Sequence, residues 1–200
     1  IFARKKMLNQ PFSVSPEQRA YFTANGHAYI PGLISAAELQ PYRQAILDWA
    51  ADFRAQQKPM EERDTYGKAF LQMMNLWESS ETVKEFTLAK RFASAAAQLL
   101  GVQQVRLYHD QALFKEPGGG HTPWHQDQYY WPMQTPKTVT MWMPLVDIDA
   151  DMGMLTFASG SQKAELPPMP ISDESEAGPE IISGVRASSI KIESTSSIMA

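Results

Sequence analysis

The sequence contains no cysteine. Disulfides and thiolate metal sites are therefore excluded, and imidazole and carboxylate groups are left as the side chains able to hold a metal. Long apolar runs are also missing. None approaches the roughly 20 residues needed to cross a bilayer. The charged opening Arg4-Lys5-Lys6 lacks the apolar stretch that would make it a signal peptide. Positive charge is in short supply: 18 Lys and Arg stand against 22 Asp and Glu, net −4, with no basic stripe. No nucleic-acid partner and no membrane association are expected, and a cytoplasmic protein is. An initiator Met is absent, so Ile1 reads as the ragged edge of an incomplete chain. Gly118-Gly119-Gly120 precedes a histidine and not a helix, the wrong context for a phosphate-binding loop.

What is present is the balance of a soluble globular protein, 44% apolar and 20% charged over 200 residues. That length suits one domain with a single sizeable core. Ser15-Pro16-Glu17-Gln18 opens a helix, with a capping serine, proline at the first helical position and a glutamine placed for a capping box. Gly26 should end it, and His27–Ile30 follows as a short strand. Ser35 with Glu38 opens a second helix through Ile46, Trp49 and Phe53, with a kink expected at Pro41. Helical spacing resumes over Glu81–Leu100 and stops at Gly101.

The pattern then turns to β. Val105–Phe114 suggests one or two strands, Thr138–Val146 a clear one, and Met154–Ala158 another. Helices first and strands after argue for an α+β or mainly β domain, not alternating βαβ units. From Ala164 the composition becomes rich in Pro, Ser and Glu, read as an exposed loop over 164–180 followed by an unassigned tail.

The chemistry concentrates in Lys115-Glu116-Pro117-Gly118-Gly119-Gly120-His121-Thr122-Pro123-Trp124-His125-Gln126-Asp127. On a strand, residues two apart share a face, so His125 and Asp127 would present an imidazole nitrogen and a carboxylate oxygen to one point while Gln126 faces away. One nitrogen and one oxygen ligand form two corners of a 2-His-1-carboxylate iron site, which leaves coordination positions open. A bare His-X-Asp triplet also fits a surface charge pair or two side chains hydrogen-bonded to each other.

The spaced motifs Asp110–Lys115, Trp124-His125-Gln126-Asp127, Tyr130-Trp131-Pro132, Trp142-Met143-Pro144-Leu145 with Asp147, Gly153-Met154-Leu155 and Gly160-Ser161 resemble the phytanoyl-CoA dioxygenase family in that order. Asn75-Leu76-Trp77 and the helix leading to Gly26-His27 are similar too. The resemblance spans roughly 15–163 of a single domain, with 164–200 a loop and atypical tail. It implies a double-stranded β-helix (jelly roll, cupin-like) with helices buttressing one side. It further implies an Fe(II)- and 2-oxoglutarate-dependent dioxygenase that uses O2 to hydroxylate a small organic substrate, with release of succinate.

By that resemblance His125 and Asp127 are the metal ligands. Lys115 would pair with a carboxylate of 2-oxoglutarate, or stand as a solvated lysine at a strand end. Gln111 would donate its amide to the cosubstrate, or merely fill a polar strand position. Trp142 would wall the cosubstrate pocket, or pack in the core. Tyr130 and Trp131 would line a substrate channel, or be loop aromatics.

The pattern departs from the family after Asp127. The family takes a second metal histidine from a later strand, with an arginine beyond it for 2-oxoglutarate. Here the four histidines are His27, His109, His121 and His125, and the only later arginine, Arg186, has no histidine between it and Asp127. Truncation, an unrelated or frame-shifted tail, and natural loss of the chemistry are the open explanations. Closing strands are then expected to be missing and iron to be weakly held. Two other readings stay open: an inactive jelly-roll module that binds a small ligand, and an interaction domain in which His125 and Asp127 pair only with each other.

Overall fold

The fold is described from a computed structural model, over residues 8–63, 65–118, 122, 124–131, 133–152, 154–164, 187–189 and 197–199. Helix α1 (Pro16–Asn25) begins as the sequence dictates. The Ser15 hydroxyl accepts from the Gln18 backbone N–H, and the Gln18 side chain accepts from Ser15 N–H at 2.9 Å. Gly26, at φ 77°, closes it in the left-handed conformation that glycine adopts without a Cβ penalty. A second capping box, Ser35 with Glu38, starts α2 (Ala36–Ala55), and Pro41 lies inside that helix. Glu38 also takes an ion pair from Arg91 at 2.9 Å, joining the start of α2 to α6 (Lys90–Leu100).

Between them lie β1 (His27–Tyr29), α3 (Thr65–Ala69), β2 (Leu71–Met74), α4 (Leu76–Ser79) and α5 (Glu81–Thr87). The helical run expected over Glu81–Leu100 is thus split in two, because the chain turns at Leu88-Ala89, where Ala89 is extended. The strands β3 (Gln111–Phe114), β4 (Thr140–Trp142), β5 (Thr156–Ala158), β6 (Ala187–Ser189) and β7 (Ser197–Met199) follow. They form three small antiparallel groups: β1-β7-β4, β2-β3 and β5-β6. The expected β run over Thr138–Val146 narrows to three residues, and no strand is seen over Val105–Asp110.

The tail, unassigned from the sequence, contributes two short strands. Residues 187–189 pair with β5, and 197–199 insert between β1 and β4. The loop proposed over 164–180 and Arg186 lie, apart from Ala164, outside the described residues.

Two apolar clusters carry the fold. The larger gathers Leu8, Val14, Phe22, Ala28, Ile30, Leu33, Leu39, Tyr42, Phe92, Ala95 and Leu99, with Val139, Met141 and Met143 packed against it. Strand β4 is therefore seated on the helical half of the molecule. The second contains Ile46, Ala50, Met73, Leu76 and Val83, with Ala112 and Phe114 against it. Helix α2 contributes its first half to one cluster and its second half to the other. Period-two burial on β2 (Leu71 and Met73 in, Met74 out) leaves Gln72, Met74, Gln111 and Leu113 together on the outer face of the β2-β3 pair.

The end of α1 is closed by more than glycine. A Cβ placed on Gly26 would come within 2.5 Å of the Gln162 amide oxygen and 3.0 Å of its Cβ. The Gln162 amide nitrogen meanwhile donates to the carbonyls of Thr23 and Ala24, both at 3.3 Å. Gly26→Ala should therefore cost the left-handed penalty of about 1–2 kcal/mol and also displace Gln162. A urea midpoint equal to that of the parent chain would disprove this account.

Candidate metal centre

His125 and Asp127 come together, although not as residues of one strand. Gln126 is extended, at φ −114° and ψ 126°, and Asp127 then begins a short 3-10 turn (Asp127–Tyr130). One extended residue is enough to send its two neighbours to the same side. The His125 imidazole Nε2 lies 3.3 Å from Asp127 Oδ1. The other carboxylate oxygen, Oδ2, accepts from the Thr140 hydroxyl at 2.8 Å. Asp127 is therefore tied to β4, which itself is seated on the larger core.

The electrostatics follow from these partners. Burial works to raise the Asp127 pKa, but hydrogen bonds from His125 and Thr140, with the nearby imidazoles of His125 and His109, hold it below the ordinary aspartate value. The carboxylate is thus kept ionised in a partly desolvated place, the form in which it ligates a metal.

Cis donor atoms on a metal with bonds near 2.1 Å stand about 3 Å apart. The 3.3 Å separation is close to that spacing, and it also suits a direct hydrogen bond between the two side chains. A third protein donor is not seen: among the described residues no group of three or more His, Asp or Glu side chains is placed to hold a metal. The donors present, one imidazole and one carboxylate, suit Fe(II) as far as they go.

The remaining residues expected at the site are found in different states. Gln111 is exposed, and its amide oxygen accepts from Gln72 Nε2 at 2.8 Å across the β2-β3 pair. Lys115, just beyond β3, places its ammonium 4.4 Å from the centre of the Phe70 ring, and desolvation there lowers its pKa from the ordinary lysine value. Trp142 is half-buried two residues after Thr140 on β4, and so shares the face from which Thr140 reaches Asp127. Trp131 is half-buried and packs edge-on against Tyr108 (6.0 Å) and His109 (6.4 Å). The backbone of Tyr130 ends the 3-10 turn, while its side chain and all of His121 lie outside what is described.

The contacts of three residues near the pair escaped sequence reasoning. Thr140 and Gln126 act through contacts 13 and 35 residues distant in sequence, which no local pattern encodes. His109 contributes electrostatically to Asp127 and buries an Nδ1 that has no hydrogen-bond partner among the described residues. His27 bonds Ser159 Oγ through Nε2 at 2.8 Å and stacks on Phe157 at 4.8 Å.

Glu116 anchors the segment that leads into the pair. Its carboxylate is paired by Arg54 at 3.1 Å and by Arg63 at closer range, and both Glu116 and Arg63 are largely shielded from solvent. This ties Glu116, just past β3, to the end of α2 and to the residue that follows the 3-10 turn Met60–Glu62.

Comparison with known proteins gives one family and a shared fold. The family described as Phytanoyl-CoA dioxygenase (PhyH) matches residues 22–188. The crystal structure of SnoK, a non-heme alpha ketoglutarate dependent carbocyclase from nogalamycin biosynthesis, aligns with TM-score 0.75 and 18% identity, over 94% of this chain and 76% of that one. The epimerase SnoN, solved in complex with Fe3+, alpha ketoglutarate and nogalamycin RO, aligns with TM-score 0.67 and 21% identity, over 92% and 72%. No curated protein matches by sequence. Among the described residues no helix is long and apolar enough to cross a membrane.

Thr140 offers a direct check on the electrostatics. A carboxylate whose folded pKa is depressed adds stability that is full above its unfolded value, about 3.9, and is lost as pH falls through the folded value. Thr140→Val should raise the Asp127 pKa, shrink that contribution and complete its loss at a higher pH, while the loss still begins near the unfolded value. Carboxyl-carbon NMR titration reads the shift, and an Asp127 titration unmoved by the substitution would contradict it.

Proposed function

The chain belongs to the phytanoyl-CoA dioxygenase family, and from that premise we propose that it is an Fe(II)- and 2-oxoglutarate-dependent dioxygenase with a jelly-roll domain, acting on a small organic substrate. The observation that carries the reading is the convergence of His125 Nε2 and Asp127 Oδ1 at 3.3 Å, with the carboxylate braced by Thr140. The names of the two structural neighbours support it, since both use or bind alpha ketoglutarate. Fold alone would not, because one fold hosts many chemistries.

In this reading His125 and Asp127 would hold the metal. When bound, the iron with 2-oxoglutarate and O2 supplies the oxidising power: O2 is consumed, 2-oxoglutarate becomes succinate and CO2, and a substrate C–H becomes C–OH. The chain supplies the rest. Lys115 is the cation for a cosubstrate carboxylate, and its partial desolvation strengthens such a charge-assisted pair. Gln111, with its amide oxygen already engaged by Gln72, offers its amide hydrogens. Trp142, on the Thr140 face of β4, walls the cosubstrate side. Tyr130 and Trp131 border the substrate approach just beyond Asp127.

One observation favours a second reading, a catalytically inactive small-ligand module of the same fold. No histidine follows Asp127 in the sequence, and no three-donor cluster occurs among the described residues.

Two assays separate the readings. The enzyme should release succinate from 2-oxoglutarate only when Fe(II) and O2 are both supplied, and His125→Ala and Asp127→Ala should each lower the rate on the order of 100-fold or more. Calorimetric titration with Fe(II) under anaerobic conditions should give heat for the parent chain and little for His125→Ala. Equal heats would remove the metal role of this pair. Metal binding without any succinate release would favour the inactive module.

A further inference from the structure

The residue between the two metal-holding side chains is itself gripped from behind. Gln126 Nε2 donates to the backbone carbonyl of Ser161 at 2.7 Å and to that of Ala164 at 3.3 Å. Those carbonyls belong to a turn that the helical half of the molecule holds at three further points. Gly160 N–H donates to Asn25 O at 2.9 Å, Gln162 Nε2 donates to Thr23 O and Ala24 O, and Ser159 Oγ bonds His27 Nε2. His27 is 2% exposed, so the anchor end of this chain of contacts is buried.

We propose that Gln126 is a positioning residue for the His125–Asp127 pair. It transmits the fixed place of the 159–164 turn to the backbone from which both side chains project. This rests on the reading of that pair as a metal holder. In an extended residue the flanking side chains leave on one face and its own side chain on the other. Pinning the Gln126 amide to two carbonyls fixes the rotation of that backbone about its own axis. It thereby fixes the direction in which the imidazole and carboxylate converge. The other face is braced by Thr140 on Asp127, so the segment is held from both sides.

The chemistry asks for glutamine in particular. Both acceptors are carbonyl oxygens, so the group reaching them must donate and must carry no negative charge. Glutamate has the same length and no donor when ionised. Methionine has a similar length and neither donor nor charge. Either leaves the segment free to rotate, and two donors that converge only part of the time bind a cation more weakly. Outer partners of metal ligands typically change affinity 10- to 100-fold.

The test is titration of the purified chain with Co2+, following the visible d–d absorption, for the parent, Gln126→Glu and Gln126→Met, each accompanied by a thermal melt. The proposal expects Co2+ affinity to fall about 10- to 100-fold in both variants, with an altered d–d band and a melting temperature close to that of the parent. Parent-like affinity and band in both variants would overturn it. Loss of binding together with loss of the cooperative melt in both would also overturn it, since the amide would then hold the fold and not the pair. Failure of the parent chain itself to bind Co2+ would remove the metal reading, an outcome distinct from the other two.

Discussion

An ionised carboxylate that is four-fifths shielded from water is tolerated only when other groups replace its hydration. Asp127 is such a group, its side chain 18% exposed, and the local architecture serves that requirement. Thr140 reaches it from β4, the imidazole of His125 lies on its other oxygen, and β4 is fixed by the packing of Val139, Met141 and Met143 against the helical core. Core packing and site chemistry are therefore one problem in this molecule. A change that shifts β4 alters the partner of a buried charge.

The helical half has a second hold on the site through the turn that follows β5. Its backbone and side chains meet the last carbonyls of α1, which a helix leaves without internal partners, and the buried ring of His27. Satisfying the end of α1 and orienting the metal-facing segment thus draw on the same few residues. Glu116, paired with Arg54 and Arg63, does the corresponding work on the approach to the pair.

The local signals in the sequence proved the most legible. Ser15 and Ser35 open helices with complete capping boxes, and Gly26 and Gly101 close helices in the left-handed conformation. These features depend on residues within one turn of each other, which is why pattern reading finds them. The β regions were less legible: Thr138–Val146 has the composition of a long strand, yet pairs over three residues only. Composition says what suits a pleated surface, while pairing depends on a partner far along the chain. For the candidate site, the spacing of His125 and Asp127 anticipated their convergence, but by way of a strand where there is one extended residue and a turn. The bonds from Thr140, and the grip on Gln126, span 13 and 35 residues and left no trace in local pattern.

The order of strands in the β1-β7-β4 group bears on how the protein is made. Its middle strand, Ser197–Met199, is the last of the three to be synthesised, and its outer strands begin at His27 and Thr140. A ribosome adds residues at about 5–20 per second, so β1 and β4 wait seconds with exposed ladder groups before residue 197 emerges. During that interval the helices can already pack on local contacts, whereas the sheet cannot close. The nascent chain thus carries unpaired strand edges that invite the wrong neighbour, and its yield in cells should respond to chaperone supply and to translation speed more than its finished stability would suggest.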